Sequence, residues 1–143
     1  MNIKDYFIKK HLSVTQSQKK SVLMVIIKKN KTKGALNMSV KILNTEEFAS
    51  KIISDKMPAI VEFQAPWCVY CRRIGPAYSK IADEYADKLI VAAADIDNDP
   101  QLAQDYSIEL VPTFILFKDG KPAARIVNPD SKAKIAAFIE ENL

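Results

Sequence analysis

The run Trp67-Cys68-Val69-Tyr70-Cys71 holds the only two cysteines of this chain, two residues apart and shortly after the apolar residues 59–63. If 59–63 forms a buried strand and a helix begins at the first cysteine, both sulfurs lie at a helix N-terminus. Unpaired backbone N–H groups and the helix dipole favour negative charge there. A thiolate is the nucleophile of disulfide exchange, and Cys-x-x-Cys surroundings lower a thiol pKa from roughly 8.5 into a range of about 3.5 to 7.5. The spacing therefore reads as a redox pair. Three other readings stay open at this level. A structural disulfide would close so short a loop that it removes little unfolded-state entropy. A zinc half-site needs further ligands, and the chain offers only His11 far upstream. Two thiols that merely pack in a core fit poorly with Pro66 and Trp67, which point to an exposed loop.

At 143 residues, with 48% hydrophobic and 27% charged residues, the chain has room for one domain with a proper core. Its net charge of +4 suggests a nucleic-acid or anionic-membrane partner until the chain is divided. Residues 1–37 carry nine lysines and one acid, a charge of +8, whereas residues 38–143 carry 12 basic and 16 acidic residues, a charge of −4. The basic character belongs to an N-terminal extension, and the body, 38–143, is expected to be the folded domain, with no nucleic-acid partner. The apolar island at 22–27 is far shorter than the roughly 20 residues of a membrane span. It is also shorter than a secretory h-region of about 7 to 15 residues. No export, no membrane span and a cytoplasmic location are the expectation, with the extension a solvated tail.

Along the body, the pattern predicts a short strand at 39–43 and a helix opened by Asn44 with Glu47 as a capping pair and running to about Ser54. After a turn at 55–58, residues 59–63 read as a central strand in which Glu62 is the polar intruder. Ile74, Tyr78, Ile81 and Tyr85 mark one face of a helix over 68–85 that contains Pro76, which should kink it. A buried strand at 89–94, an acidic run at 95–99 and a short helix at 100–106 follow, the last with Asp99 as N-cap and Pro100 at the first position. A strand at 113–117, the hairpin signal Asp119-Gly120, a partner strand at 123–127 and a closing helix at 131–143 complete the chain. The inward face of that helix is Ile135, Phe138 and Ile139. The order is β-α-β-α-β-α-β-β-α, an α/β fold with a mixed sheet and helices on both faces, ending in an antiparallel hairpin.

From about residue 40 to 143 this order resembles the thioredoxin family. The run Trp67 to Cys71 after the central strand, Pro76 in the following helix, Val111-Pro112-Thr113 and Asp119-Gly120 all stand where that family's motifs stand. The resemblance implies a five-stranded thioredoxin fold and protein-disulfide reduction with neither cofactor nor metal. Cys68 would be the exposed nucleophile and Cys71, deeper on the helix, the resolving thiol. Pro112 would be cis, with Val111 beside it offering backbone to an extended substrate segment. Glu62 would take the proton of Cys71, its pKa raised by burial. Trp67, Val69, Tyr70, Val111 and Pro112 would form the surface that meets substrate. The implied partners are protein disulfides and an NADPH-dependent thioredoxin reductase, with the protein a monomer.

Several positions depart from the family pattern. Val69-Tyr70 replaces Gly-Pro, Gln64 stands where an aromatic is common, Asn128 replaces a glycine, and Ala93 occupies the place of a lysine that partners the buried carboxylate. With tyrosine at position 70 an N–H is regained that could point at the Cys68 thiolate, and Arg72 and Arg73 add positive charge. Both effects stabilise the reduced form, so the reduction potential is expected above the roughly −270 mV of thioredoxin. A disulfide donor or isomerase remains an alternative favoured by the Val-Tyr pair. A non-catalytic binding module is a second, disfavoured because a scaffold has no need of both cysteines.

Overall fold

A computed structural model describes residues 40–143; the lysine-rich extension and the start of the expected first strand lie outside the described residues. The elements are β1 (Lys41–Ile42), α1 (Thr45–Phe48) continued by a π-helical turn (Ala49–Ile53), β2 (Ala59–Gln64), α2 (Val69–Glu84) and β3 (Ile90–Asp95). They continue with α3 (Pro100–Asp105), β4 (Thr113–Lys118), β5 (Lys121–Val127) and α4 (Lys132–Asn142). The five strands form one sheet in the order β1-β3-β2-β4-β5. Strand β3 pairs in parallel with β1 and β2, while β2–β4 and β4–β5 are antiparallel. The expected mixed sheet with β2 at its centre is therefore present.

Period-two alternation distributes the strand residues over two cores. On one face Ala59, Val61, Phe63, Ile115 and Phe117 pack with Phe48 and Ile52 of the first helical segment and Leu102 of α3. Here the rings of Phe48, Phe63, Tyr106 and Phe117 meet at tilted or edge-on angles with centroids 5.2–6.4 Å apart. On the other face Ile60, Phe114 and Leu116 pack under Ile74, Tyr78 and Ile81 of α2 and Ile135, Phe138 and Ile139 of α4. Glu62 lies two residues from Ile60 along β2, so it belongs to the same face, the one covered by α2.

Local chemistry fixes most boundaries as the residues suggest. Asn44 Oδ1 accepts the Glu47 N–H at 2.9 Å and Glu47 Oε2 accepts the Asn44 N–H at 3.2 Å, a complete capping box. Asp119 and Gly120 both have positive φ, 52° and 76°, as a tight primed hairpin turn requires. Ser131 Oγ caps α4 through the Lys134 N–H.

Three expectations need correction. The first strand is only two residues long, because after Leu43 bonds to Ala93 O the chain turns into the Asn44 cap. The helix expected to reach Ser54 is α-helical only to Phe48 and then widens, ending with the Ser54 N–H and hydroxyl both on the Ala49 carbonyl. Asp99 precedes α3 but its side chain does not cap it; the carboxylate instead accepts the Thr45 hydroxyl at 2.6 Å, tying α3 to α1. Helix α2 runs from Val69 to Glu84 as one segment through Pro76, which interrupts its bonding ladder without ending it.

Candidate active site

Strand β2 ends at Gln64, and Ala65, Pro66 and Trp67 carry the chain to Cys68, the N-cap of α2. Cys68 and Cys71 form a disulfide with Cα atoms 5.3 Å apart. They pack with Ala65 and are covered by Ile96 and Val111. The Cys71 N–H donates to Cys68 Sγ at 3.1 Å, so the sulfur does the work that an oxygen does at an ordinary N-cap. A negative charge on Cys68 would gain both this bond and the helix dipole. The donor is the amide of Cys71, not that of Tyr70 as the sequence suggested, because the third helical residue is the one whose N–H faces a cap side chain.

The expected contrast between an exposed Cys68 and a deeper Cys71 is absent. The two residues are 4% and 5% exposed, because Cys68 Sγ is roofed by the loop ahead of β4 and lies 3.6 Å from the Val111 carbonyl oxygen. The Val111–Pro112 bond is cis. Pro112 itself is buried, and its carbonyl accepts the Asn128 N–H at 2.8 Å, which leaves half-buried Val111 and the neighbouring Leu110 at the surface. Leu110, which the sequence reading did not single out, is 66% exposed beside Val111. Trp67, Val69 and Tyr70, which flank Cys68 in the chain, are exposed, and half-buried Val111 lies against the Cys68 sulfur.

Trp67 is held by its indole N–H, which donates to Asp97 Oδ1 at 3.4 Å. Asp97 is in turn placed by Asp95, whose Oδ1 accepts the Asp97 and Asn98 N–H groups at 2.8 and 3.3 Å. The signal for this support was legible in the acidic run, since an aspartate followed by polar residues favours such a side-chain-to-backbone turn. On the opposite side the Arg73 guanidinium lies over the Tyr70 ring, 5.7 Å from its centroid.

Glu62 is 2% exposed, and its Oε1 has no hydrogen-bond partner. Burial alone pushes its pKa up to about 8. Its register partners are Ala93 on β3 and Phe114 on β4, neither of which can offer a side-chain donor. The Tyr78 hydroxyl beside it donates instead to the Ile60 and Ala92 carbonyls, at 3.0 and 2.7 Å. The position expected to hold a partner lysine is thus filled by a methyl group.

The family model for thioredoxin matches residues 39–141. The chain is 40% identical over 101 residues to a thioredoxin of Acidithiobacillus ferridurans, covering 71% of this chain and 94% of that protein. It is 41% identical over 88 residues to a thioredoxin of Mycobacterium tuberculosis, covering 62% and 76%. The chloroplastic M-type thioredoxin of Chlamydomonas reinhardtii is 37% identical over 101 residues, covering 71% and 72%.

Proposed function

The chain belongs to the thioredoxin family and is a thiol-disulfide oxidoreductase that reduces protein disulfides, and on that premise we propose how its residues divide the work. Cys68 as thiolate attacks one sulfur of a substrate disulfide, forming a mixed disulfide and releasing the other substrate sulfur as a thiolate. Cys71, deprotonated, then attacks Cys68 Sγ, closes the Cys68–Cys71 disulfide and frees the second substrate thiol. The observation that carries this assignment is the Cys71 N–H on Cys68 Sγ at the start of α2, which favours charge on Cys68 and leaves Cys71 as the thiol that needs a base.

Glu62 is that base: it faces the helix that carries Cys71, and a pKa of about 8 keeps it near the working pH. Trp67, Val69, Tyr70 and Val111 receive the polypeptide around the substrate disulfide, with Pro112 shaping the loop behind Val111. The physiological reductant is an NADPH-dependent thioredoxin reductase, and the protein works as a cytoplasmic monomer, with residues 1–37 an N-terminal extension and residues 38–143 the thioredoxin domain. Among the described residues no helix is long and apolar enough to cross a membrane.

The test is turbidimetric insulin reduction with NADPH and a thioredoxin reductase. Wild type should turn over, Cys68→Ser should be inactive, and Cys71→Ser should accumulate a mixed disulfide with insulin through Cys68. Full activity of Cys68→Ser would defeat the assignment.

A further inference from the structure

Strand β5 and the residue after it hold the loop between α3 and β4 at both of its ends. At the far end the Asn128 N–H, just beyond β5, donates to the Pro112 carbonyl at 2.8 Å. At the near end Arg125 donates from Nη2 to the Tyr106 carbonyl at 2.8 Å and from Nη1 to the Ser107 carbonyl at 3.3 Å. Arg125 stands on the correct side of the sheet because its register partner is Ile115. That residue packs in the core that includes Leu102 of α3, and register partners share a face.

Tyr106 and Ser107 follow the last turn of α3, where the final carbonyls of a helix lack intrahelical partners. Ser107 has φ of 53°, a left-handed conformation that glycine adopts freely and serine does not. The Ile108 N–H bonds back to the Ala103 carbonyl and closes the turn. A planar guanidinium suits two successive carbonyls, because its N–H groups form a rigid fork. Among the described residues Arg125 takes part in no ion pair, and its hydrogen bonds go to these two carbonyls. Four residues beyond Ser107, the Val111 carbonyl oxygen lies 3.6 Å from Cys68 Sγ. Glu109 and Leu110 between them are exposed, and the Thr113 hydroxyl adds a tie to the Leu110 carbonyl at 2.6 Å.

We propose that Arg125 is a positioning residue for the reduction of protein disulfides. By fixing the point at which the loop leaves α3, it holds the Val111 backbone in the place where an extended substrate segment meets it. The inference rests on the substrate-receiving role given to Val111 above. Arg125 acts through the loop, since its bonds go to Tyr106 and Ser107 and not to either cysteine. With the fork removed, residues 107–111 gain conformational freedom that a bound polypeptide must take away again. That cost weakens docking and leaves the exchange of sulfur bonds as it was. The effect therefore falls on polypeptide disulfides and spares small ones, which have no flanking chain to lie along the loop.

The pre-reduced full chain is mixed with insulin over a range of concentrations, and the single-turnover rate is followed by Trp67 fluorescence. Dithiobis(nitrobenzoate) serves as the small disulfide. Arg125→Met should raise the half-saturating insulin concentration roughly fivefold or more, the equivalent of one lost hydrogen bond. The maximal rate and the rate with the small disulfide should stay unchanged. Arg125→Lys keeps the charge but lacks the fork, so it should raise the half-saturating concentration by a smaller factor. An unchanged value in Arg125→Met overturns the proposal even if its Tm falls, because the arginine then only staples the fold. Equal slowing with the small disulfide overturns it too, since the effect would then lie at the sulfurs. Where Arg125→Met fails to fold, Arg125→Lys decides, and a half-saturating concentration equal to that of the wild type overturns the proposal. A wild type that reduces the small disulfide but not insulin would overturn the role given to Val111, and this inference with it.

Discussion

Glu62 and Ala93 are register partners across the parallel β2–β3 ladder, both 2% exposed, and Glu62 Oε1 has no hydrogen-bond partner. A carboxyl raised from 4.5 to about 8 binds a proton in the folded state that the unfolded chain has already lost over that interval. Stability is therefore fully present below about pH 4.5, falls as pH rises, and has lost this contribution above about pH 8. At about 1.4 kcal/mol per pKa unit the loss is on the order of 5 kcal/mol. Urea unfolding of the oxidised protein between pH 5 and 9 should show this decline, and Glu62→Gln should flatten it. An equal slope in the variant would show that some other group is responsible.

The same carboxyl should govern the resolving step. Glu62→Gln is expected to slow release of the mixed disulfide by about 10²-fold or more, the usual worth of a positioned base. It should also remove an inflection near pH 8 from the rate profile. Stopped-flow fluorescence of Trp67 during insulin reduction reads both.

Tyr78 secures the floor of the site, since its hydroxyl, buried under α2, bonds to carbonyls of both β2 and β3. Tyr78→Phe deletes the donor and keeps the ring that meets Phe114 edge-on with centroids 5.0 Å apart. The expected cost is about 1–2 kcal/mol, a fall in Tm of roughly 5–10 °C by calorimetry. No change in Tm would mean that the two carbonyls are satisfied without it.

Gly75 and Gly120 should respond oppositely to alanine. Gly75 lies inside α2 with open space around it, so Gly75→Ala is expected to stabilise by about 0.5–1 kcal/mol. Gly120 has φ of 76°, and a Cβ there would strike the Ile53 carbonyl, so Gly120→Ala should destabilise by more than about 1 kcal/mol. Denaturant midpoints of the two variants on the same side of wild type would refute this reading.

Equilibration with a dithiol buffer should give the wild type a reduction potential above about −270 mV. The ring of Tyr70 holds the Arg73 guanidinium beside the start of α2, where positive charge supports the Cys68 thiolate. Tyr70→Pro and Arg73→Gln should each lower the potential by on the order of 20 mV, the equivalent of a charge near a helix end. A higher potential in either variant would reverse the assigned role.

Periodicity and turn chemistry were enough to read the order of elements, the helix over α2, the Asp119-Gly120 hairpin and the redox pair, because these depend on neighbours within one or two turns of chain. The Asn44 and Ser131 caps are local in the same sense. Asp99 was misread as a cap because its competing partner, Thr45, is 54 residues away in sequence and only the packed fold brings it close. The support of Trp67 by Asp97 and the roof that Val111 places over Cys68 depend on residues 30 and 43 apart in the chain being brought together by the fold.

What the sequence alone determined was that a thiol pair would cap a helix behind a buried strand carrying one carboxyl, since dihedral preferences and apolar spacing act along the chain. The tertiary structure decided which amide faces the sulfur, that Glu62 Oε1 is left without a partner, and that both cysteines are buried. Those outcomes follow from which strands pair in which register and how closely side chains fill the space between sheet and helix, and neither is encoded at any single position.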